Sequence, residues 1–116
     1  MYQIISSTPE SLEVKLSAKV DREEYSKILK EIKDKLKQSD SVDLLVDIKE
    51  LDKMTLGAIW EDLKFDIKNF RVIRKFAIVG GEDSQSLMAS ISEPFVSEEA
   101  KFFNSSEIDK ARDWIF

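Results

Sequence analysis

The sequence predicts an α/β domain spanning residues 1–116, with element order β-β-α-β-α-β-α-β-α around one mixed five-stranded sheet. Three observations predict it. Apolar and polar residues alternate at 12–18, which is typical of a strand with one polar face. The run at 42–48 is apolar on both faces except at Asp43 and Asp47, and 75–79 is another short buried run, as in covered parallel strands. Helical stripes precede and follow the first of these runs, so we expect a mostly parallel sheet with right-handed crossovers and one antiparallel strand.

The N-terminal third predicts a hairpin followed by a helix. Strands are expected at 2–6 and 12–18, forming an antiparallel pair at or near a sheet edge, with the polar residues of the second strand half-exposed. The helix is expected at 21–38, where apolar residues recur at helical spacing. Asp21 is the predicted N-cap, Glu24 lies at capping-box spacing from it, and Val20 can pack against Tyr25 as a hydrophobic staple.

The remaining elements alternate between strand and helix. Strands are expected at 42–48, 75–79 and 100–103, and helices at 56–70, 83–91 and 104–116. The closing helix has Asn104 and Glu107 at capping-box spacing, with Ile108, Ala111 and Ile115 facing inward.

Composition excludes several classes of function. The chain has 116 residues, a net charge of −5, no cysteine and no histidine. Thiol chemistry, thiolate metal sites and histidine-based catalysis are therefore excluded, and we expect neither an enzyme nor a bound metal or cofactor. Acidic and basic residues are interleaved, so no phosphate-binding surface for nucleic acid is predicted. No apolar run is long enough to cross a bilayer and no secretory leader is recognisable, so we expect a cytoplasmic location without stable membrane insertion.

The segment LLVDIKELDKMTLGAIWEDLKF resembles the STAS-like family often called SpoIIAA-like, which is related in fold to bacterial anti-sigma-factor antagonists. The strand LLVD, the loop ending in TLGA and the helix WEDLKF carry the resemblance, and the later KFAIVGG and ARDWIF fit the same pattern. The resemblance implies a five-stranded sheet with four helices, a similarity to lipid-binding Sec14-type domains, and no established enzymatic activity.

The chain departs from the family pattern at the switch residue. Anti-sigma-factor antagonists are phosphorylated on a Ser or Thr in the loop before the second helix. Aligned on Gly57, the usual phosphoacceptor position is occupied by Leu56, and Thr55 lies one residue earlier. Thr55 is therefore either a phosphorylation site at a helix N-terminus or the N-cap of that helix, and the second interpretation is favoured.

Asp47 ends the predicted central strand, where open α/β sheets present functional groups. It is a candidate for orienting a ligand hydroxyl. The alternative is that its carboxylate bonds the backbone of its own loop, as aspartates commonly do at strand ends.

Two functions from different classes remain. The first is a non-enzymatic binding or regulatory module that contacts a protein partner, or a second copy of itself, through the predicted helix 56–70 and the loop before it. The second is a carrier or sensor of a small apolar ligand, such as a fatty acid or lipid, held between that helix and the sheet. The candidate ligand or partner residues are Asp47, Met54, Thr55, Trp60, Lys64 and Phe65. Lys64 would serve as the cation for a carboxylate ligand.

Overall fold

A computed structural model describes residues 1–52, 73–80 and 96–116, apart from the side chains of residues 73, 96–100 and 102. Within these residues, five strands form one sheet: β1 (Tyr2–Thr8), β2 (Ser11–Ala18), β3 (Val42–Leu51), β4 (Ile73–Gly80) and β5 (Val96–Asn104). Helix α1 (Arg22–Leu36) follows β2. A 3₁₀ turn (Ser105–Glu107) and the C-terminal helix (Ile108–Ile115) follow β5. The predicted helices at 56–70 and 83–91 lie outside the described residues.

The strands lie in the sheet in their order along the chain, β1 to β5. β1 pairs antiparallel with β2, which confirms the hairpin, and each later pair is parallel. The mixed sheet with one antiparallel pair is therefore as the sequence predicts. β5 is longer than the predicted 100–103 because Val96 and Glu99 also pair with β4, so the strand includes the polar residues Ser97, Glu98 and Glu99. Backbone hydrogen bonds at a sheet edge do not require apolar side chains, so these polar residues hide the start of the strand.

The two faces of the sheet are covered by different helices. Side chains alternate between faces along each strand, so neighbours such as Leu44 and Leu45 belong to separate clusters. On the α1 face, helix residues Tyr25, Ile28 and Ile32 pack against the strands. The buried strand residues of that cluster include Leu12, Val14, Leu16, Leu44, Val46, Ile48, Phe76 and Ile78. On the opposite face, the C-terminal helix packs onto Leu45, Ala77 and Val79 through Ala111 and Ile115.

The prediction that β2 has a half-exposed polar face is confirmed at Lys15 and Ser17 but is wrong at Glu13. Glu13 is only 2% exposed and Ser11 is also buried. The β1–β2 pair lies at the edge of the sheet as expected, but β2 itself lies between β1 and β3, and Arg112 of the C-terminal helix reaches the Glu13 carboxylate. Alternation along β2 therefore separates a buried apolar face from a polar face that is buried at Glu13 and half-exposed at Lys15.

Both predicted helix starts are capped as the sequence indicates. The Glu24 backbone N–H donates to Asp21 Oδ1 at 2.8 Å, and Val20 and Tyr25 lie in the same core cluster. At the second start, the Asn104 N–H donates to Glu107 Oε1 at 3.2 Å, and the Asn104 side chain accepts from the backbone, completing a capping box. Ala111 and Ile115 are buried and Ile108 is partly buried, as predicted.

Replacing Asp21 with alanine is expected to lower the free energy of unfolding by about 1 kcal/mol, because the Glu24 N–H loses its acceptor at the start of α1. Denaturant titration measures the change. Asp40→Ala is the matched control: it removes the same charge from an exposed position outside any helix and is expected to change stability by less than about 0.5 kcal/mol. Equal effects of the two substitutions would contradict a capping role.

Candidate functional site

The carboxyl ends of the four parallel strands define one edge of the sheet, at Ala18, Leu51, Gly80 and Asn104. In open α/β sheets, ligands and partners bind beyond this edge. The ends of β2 and β3 are tied together there, because the Asp52 N–H donates to the Ala18 carbonyl at 2.8 Å. Ala18 has φ = 54°, the left-handed region that disfavours residues with a Cβ atom. This strained residue directs the chain away from β2 and into α1.

Asp47 lies inside β3, which runs on to Leu51, and its residue surface is only 8% exposed. Its Oδ1 accepts a hydrogen bond from the Lys49 backbone N–H at 3.0 Å. The structure therefore shows the carboxylate bonding its own backbone, which is the alternative that the sequence left open. The other oxygen retains acceptor capacity beside the C-terminal helix.

The most buried charge on the face of the C-terminal helix belongs to Glu13. Arg112 grips it with two donors: Nη2 lies 2.8 Å from Oε2, and Nε lies 3.1 Å from both carboxylate oxygens. Arg112 Nη1 is also 3.6 Å from the exposed carboxylate of Asp109, one turn earlier. This two-donor geometry fixes orientation as well as charge, so the pair sets the position of the helix on the sheet.

The Glu13 carboxylate raises the pKa of Arg112, chiefly through the hydrogen bond, and the charges of Glu13, Asp109 and Asp47 act in the same direction, while partial burial opposes them. A raised pKa in the folded state adds stability that is present below the unfolded-state value and is lost only as the pH rises through the folded-state value. Since an arginine side chain titrates only far above neutral pH, its contribution to this pair is constant across the physiological range.

A second buried carboxylate, Asp43, is paired in the same way near the amino ends of the parallel strands. Arg74 Nε and Nη2 donate to its two oxygens at 2.9 and 2.6 Å. The pair borders a polar cavity of about 170 Å³ together with Glu10, Asp40 and two serines. Three of the six lining residues are acidic and one is basic, and this polar wall disfavours apolar ligands.

Lys35 is the buried lysine of α1, and its ammonium group is bonded to neutral atoms of the hairpin. Nζ donates to Ser7 Oγ at 2.5 Å and to the Thr8 carbonyl at 2.6 Å. It ties the end of α1 to the end of β1. An open cavity of about 290 Å³ lies next to this contact and is lined by Glu31, Asp34 and Gln38 as well as by hairpin residues.

Aromatic and basic side chains meet beside β4 and β5. The Trp114 ring lies 5.9 Å from that of Phe103, and the ammonium groups of Lys75 and Lys101 lie 5.4 and 4.9 Å from its centroid. Lys75 Nζ also donates to the Trp114 carbonyl at 3.1 Å, so a cation compensates the negative end of the C-terminal helix. These contacts anchor the helix over β4 and β5.

Of the residues predicted to form a ligand or partner site, Asp47 is described, and its local contact is structural. Met54, Thr55, Trp60, Lys64 and Phe65 lie outside the described residues, so their grouping and the phosphorylation of Thr55 remain predictions. In the part of the chain that the structure describes, no three acidic side chains are arranged to hold a metal ion. Neither α1 nor the C-terminal helix is long and apolar enough to cross a membrane.

Sequence reasoning missed the partners of Glu13, Asp43 and Lys35. The expected topology already indicated that Glu13 is covered. β2 is the second strand of the hairpin and precedes a crossover, so it has a neighbouring strand on each side. Its alternating polar residues then need a covering element, and Arg112 on the closing helix supplies the matching charge. Nothing local to either residue indicates the other, since 99 positions separate them.

The mixed five-stranded sheet with helices on both faces defines an α/β module, and comparison with known families gives its place among them. The model of the SpoIIAA-like family matches residues 11–116, so the chain belongs to the SpoIIAA-like family. The resemblance found in TLGA and WEDLKF is thereby confirmed. A comparison with curated proteins found no match.

A solved structure supports the same assignment. The crystal structure of an uncharacterized protein of the DUF3478 family from Shewanella loihica PV-4, with a SpoIIAA-like fold, matches with a TM-score of 0.69 and 28% sequence identity. The match covers 100% of this chain and 93% of that one. The similarity therefore extends over the whole sheet as well as the helices that flank it.

Proposed function

We propose that residues 1–116 form one domain that acts as a non-enzymatic binding module, contacting a protein partner through residues 53–70. One observation carries the proposal. The chain leaves β3, the middle strand of the five, at Leu51 and Asp52, at the carboxyl edge of the sheet. The segment that begins there therefore starts at the edge where α/β domains bind ligands and partners. Membership of the SpoIIAA-like family supports a binding role rather than a particular partner.

The charges of the described residues favour binding over catalysis. A general acid or base needs a perturbed group that can reach a substrate. Here the buried carboxylates of Glu13 and Asp43 are each held by an arginine, and Asp47 accepts from its own backbone. The buried ammonium of Lys35 is held by the hairpin. Glu13, Asp43 and Lys35 therefore join one element to another, and Asp47 bonds within β3.

The carrier function has no support from the described cavities. Both are bounded largely by polar and charged side chains, whereas a fatty acid or lipid tail needs an apolar lining. An apolar cavity near Met54, Trp60 and Phe65 would involve residues outside the described part of the chain, so the carrier alternative is left to the experiment below.

Site-specific photo-crosslinking in cells tests the proposal. A photoreactive phenylalanine analogue at Phe65 is expected to give a discrete crosslinked protein band, and Lys64→Glu in the same chain is expected to reduce it at least threefold. The matched control carries the analogue at Lys30, an exposed position of α1. Equal labelling from the two positions would contradict a partner surface at 53–70. Native mass spectrometry provides the second readout: an added mass of a few hundred daltons that is lost on denaturation would favour the carrier instead.

A further inference from the structure

The edge strand β1 differs from every other strand in the described sheet. Its seven residues, YQIISST, include no Asp, Glu, Lys or Arg, in a chain of which 35% of residues are charged. The other four strands each carry at least two charged residues, and the opposite edge, β5, carries three. Edge strands are usually protected from pairing with further strands by charge, and β1 lacks that protection.

The hydrogen bonds of Met1 show which backbone groups of β1 point outward. Met1 N donates to the Ser17 carbonyl at 2.9 Å, and the Ser17 N–H donates to the Met1 carbonyl at 2.8 Å, so the two form a hydrogen-bonded pair. Such pairs alternate with non-hydrogen-bonded pairs in an antiparallel ladder. Tyr2 and Ile4, opposite Leu16 and Val14, are therefore non-hydrogen-bonded pairs whose N–H and C=O groups face away from β2. Among the described residues, no strand other than β2 pairs with β1.

The same edge exposes apolar side chains, and no side chain of β1 is charged. Ile4 is 37% exposed and Ile5, at the bulge in β1, is 43% exposed. The N-terminal ammonium, the nearest cation in the sequence, is turned toward the hairpin and α1: it contacts the Ser17 and Lys19 carbonyls and lies 3.4 Å from a Glu24 carboxylate oxygen. An approaching strand therefore meets backbone donors and acceptors and two isoleucines.

We propose that β1 pairs antiparallel with β1 of a second copy of this chain, joining two sheets across a two-fold axis. Two copies of this chain each have a net charge of −5 and therefore repel each other over most of their surfaces. Two β1 strands can meet without like-charge contacts, because neither has a charged side chain. The outward groups complement themselves: centring the axis on Gln3 places Tyr2 of each copy opposite Ile4 of the other and forms four backbone hydrogen bonds. Such self-complementarity is what a two-fold interface requires.

The contact is small, which sets the strength expected of the dimer. Four backbone bonds and a few apolar side chains bury less than the roughly 1,200 Å² of a stable interface. We therefore expect a reversible dimer with a dissociation constant in the micromolar to millimolar range, formed independently of any partner at residues 53–70.

Sedimentation velocity over a range of protein concentrations tests the pairing. The wild-type chain is expected to shift from monomer to dimer as concentration rises toward about 1 mM. Gln3→Lys places two ammonium groups opposite each other at the axis, and Ile4→Pro removes the outward N–H while leaving the bonds to β2 intact. Each is expected to raise the dissociation constant at least tenfold. Gln38→Lys, the same change at an exposed position beyond the end of α1, is expected to leave it unchanged.

The absence of cysteine in the chain permits a second measurement. Residues opposite each other in a non-hydrogen-bonded pair have Cα atoms about 4.5 Å apart, within the range that a disulfide spans. Gln3→Cys is therefore expected to oxidise to a covalent dimer, whereas Gln38→Cys remains mostly monomeric under the same conditions. A wild-type chain that stays monomeric up to about 1 mM would overturn the proposal. So would a dimer that Gln3→Lys and Ile4→Pro leave unchanged, or equal crosslinking of the two cysteine variants.

Discussion

Truncating Phe76 to alanine is expected to lower the free energy of unfolding by roughly 3–5 kcal/mol. The Phe76 side chain is fully buried at the centre of the α1 face and is the largest side chain with almost no exposure among the described residues. Its removal forfeits the transfer free energy of the ring and leaves a cavity in the core cluster on the α1 face, which the neighbouring side chains fill only in part. Since small domains are stable by about 5–15 kcal/mol, this one change uses up much of the stability.

Denaturant titration followed by circular dichroism measures the loss, and Phe116→Ala is the matched control. Phe116 is 55% exposed at the end of the chain, so its truncation is expected to change stability by less than about 0.5 kcal/mol. Phe76→Leu refills most of the cavity and is expected to cost less than half as much as the alanine variant. If the two alanine substitutions cost the same, the placement of Phe76 in the core would be contradicted.

Replacing Arg112 with methionine is expected to cost roughly 2–3 kcal/mol, because it leaves the Glu13 carboxylate buried without its partner. This is less than the loss of a fully enclosed pair, since the Arg112 side chain is 40% exposed and water reaches the vacated position. Methionine keeps much of the apolar stem, so the loss reports the charge rather than the packing. Arg112→Lys retains the charge but not the two-donor geometry, and an intermediate loss is expected.

A double-mutant cycle separates this pair from general damage to the helix. Glu13→Gln removes the buried charge, so adding Arg112→Met to it is expected to cost at least 1 kcal/mol less than Arg112→Met alone. Asp109→Asn is the control partner: the Asp109 carboxylate also approaches Arg112, but its side chain is 93% exposed, and its coupling is expected to be small. Additivity between positions 13 and 112 within about 0.3 kcal/mol would show that the pair does not stabilise the fold.

The parts of the fold that the sequence predicts are those specified by nearby residues. The cap of α1 by Asp21 and the capping box of Asn104 and Glu107 each depend on residues three apart, and both are confirmed. The inward positions Ala111 and Ile115 follow from helical spacing alone and are also confirmed. The apolar runs at 42–48 and 75–79 predict β3 and β4, because strands covered on both faces must be apolar on both.

The parts that escape prediction depend on contacts distant in sequence. Glu13 and Lys15 look alike in the alternating pattern of β2, but one is buried under Arg112 and the other pairs with the exposed Glu50 at 3.3 Å. Only the packing of the last helix distinguishes them. Less of the candidate site than of the fold could be predicted. At Asp47, the tendency of aspartate to bond nearby backbone anticipates the hydrogen bond from the Lys49 N–H. The role of residues 53–70 depends on a partner that no pattern in the chain identifies.

The ion pair between Glu13 and Arg112 also has a consequence for folding during synthesis on the ribosome. Each strand lies beside its predecessor, so during synthesis the sheet can grow one strand at a time as residues emerge. Glu13 is synthesised 99 residues before Arg112, so its carboxylate has no arginine partner until the C-terminal helix leaves the ribosome. A chain that stalls before Arg112 therefore leaves uncovered the sheet face on which the Glu13 carboxylate lies beside the apolar side chains of Leu45, Ala77 and Val79.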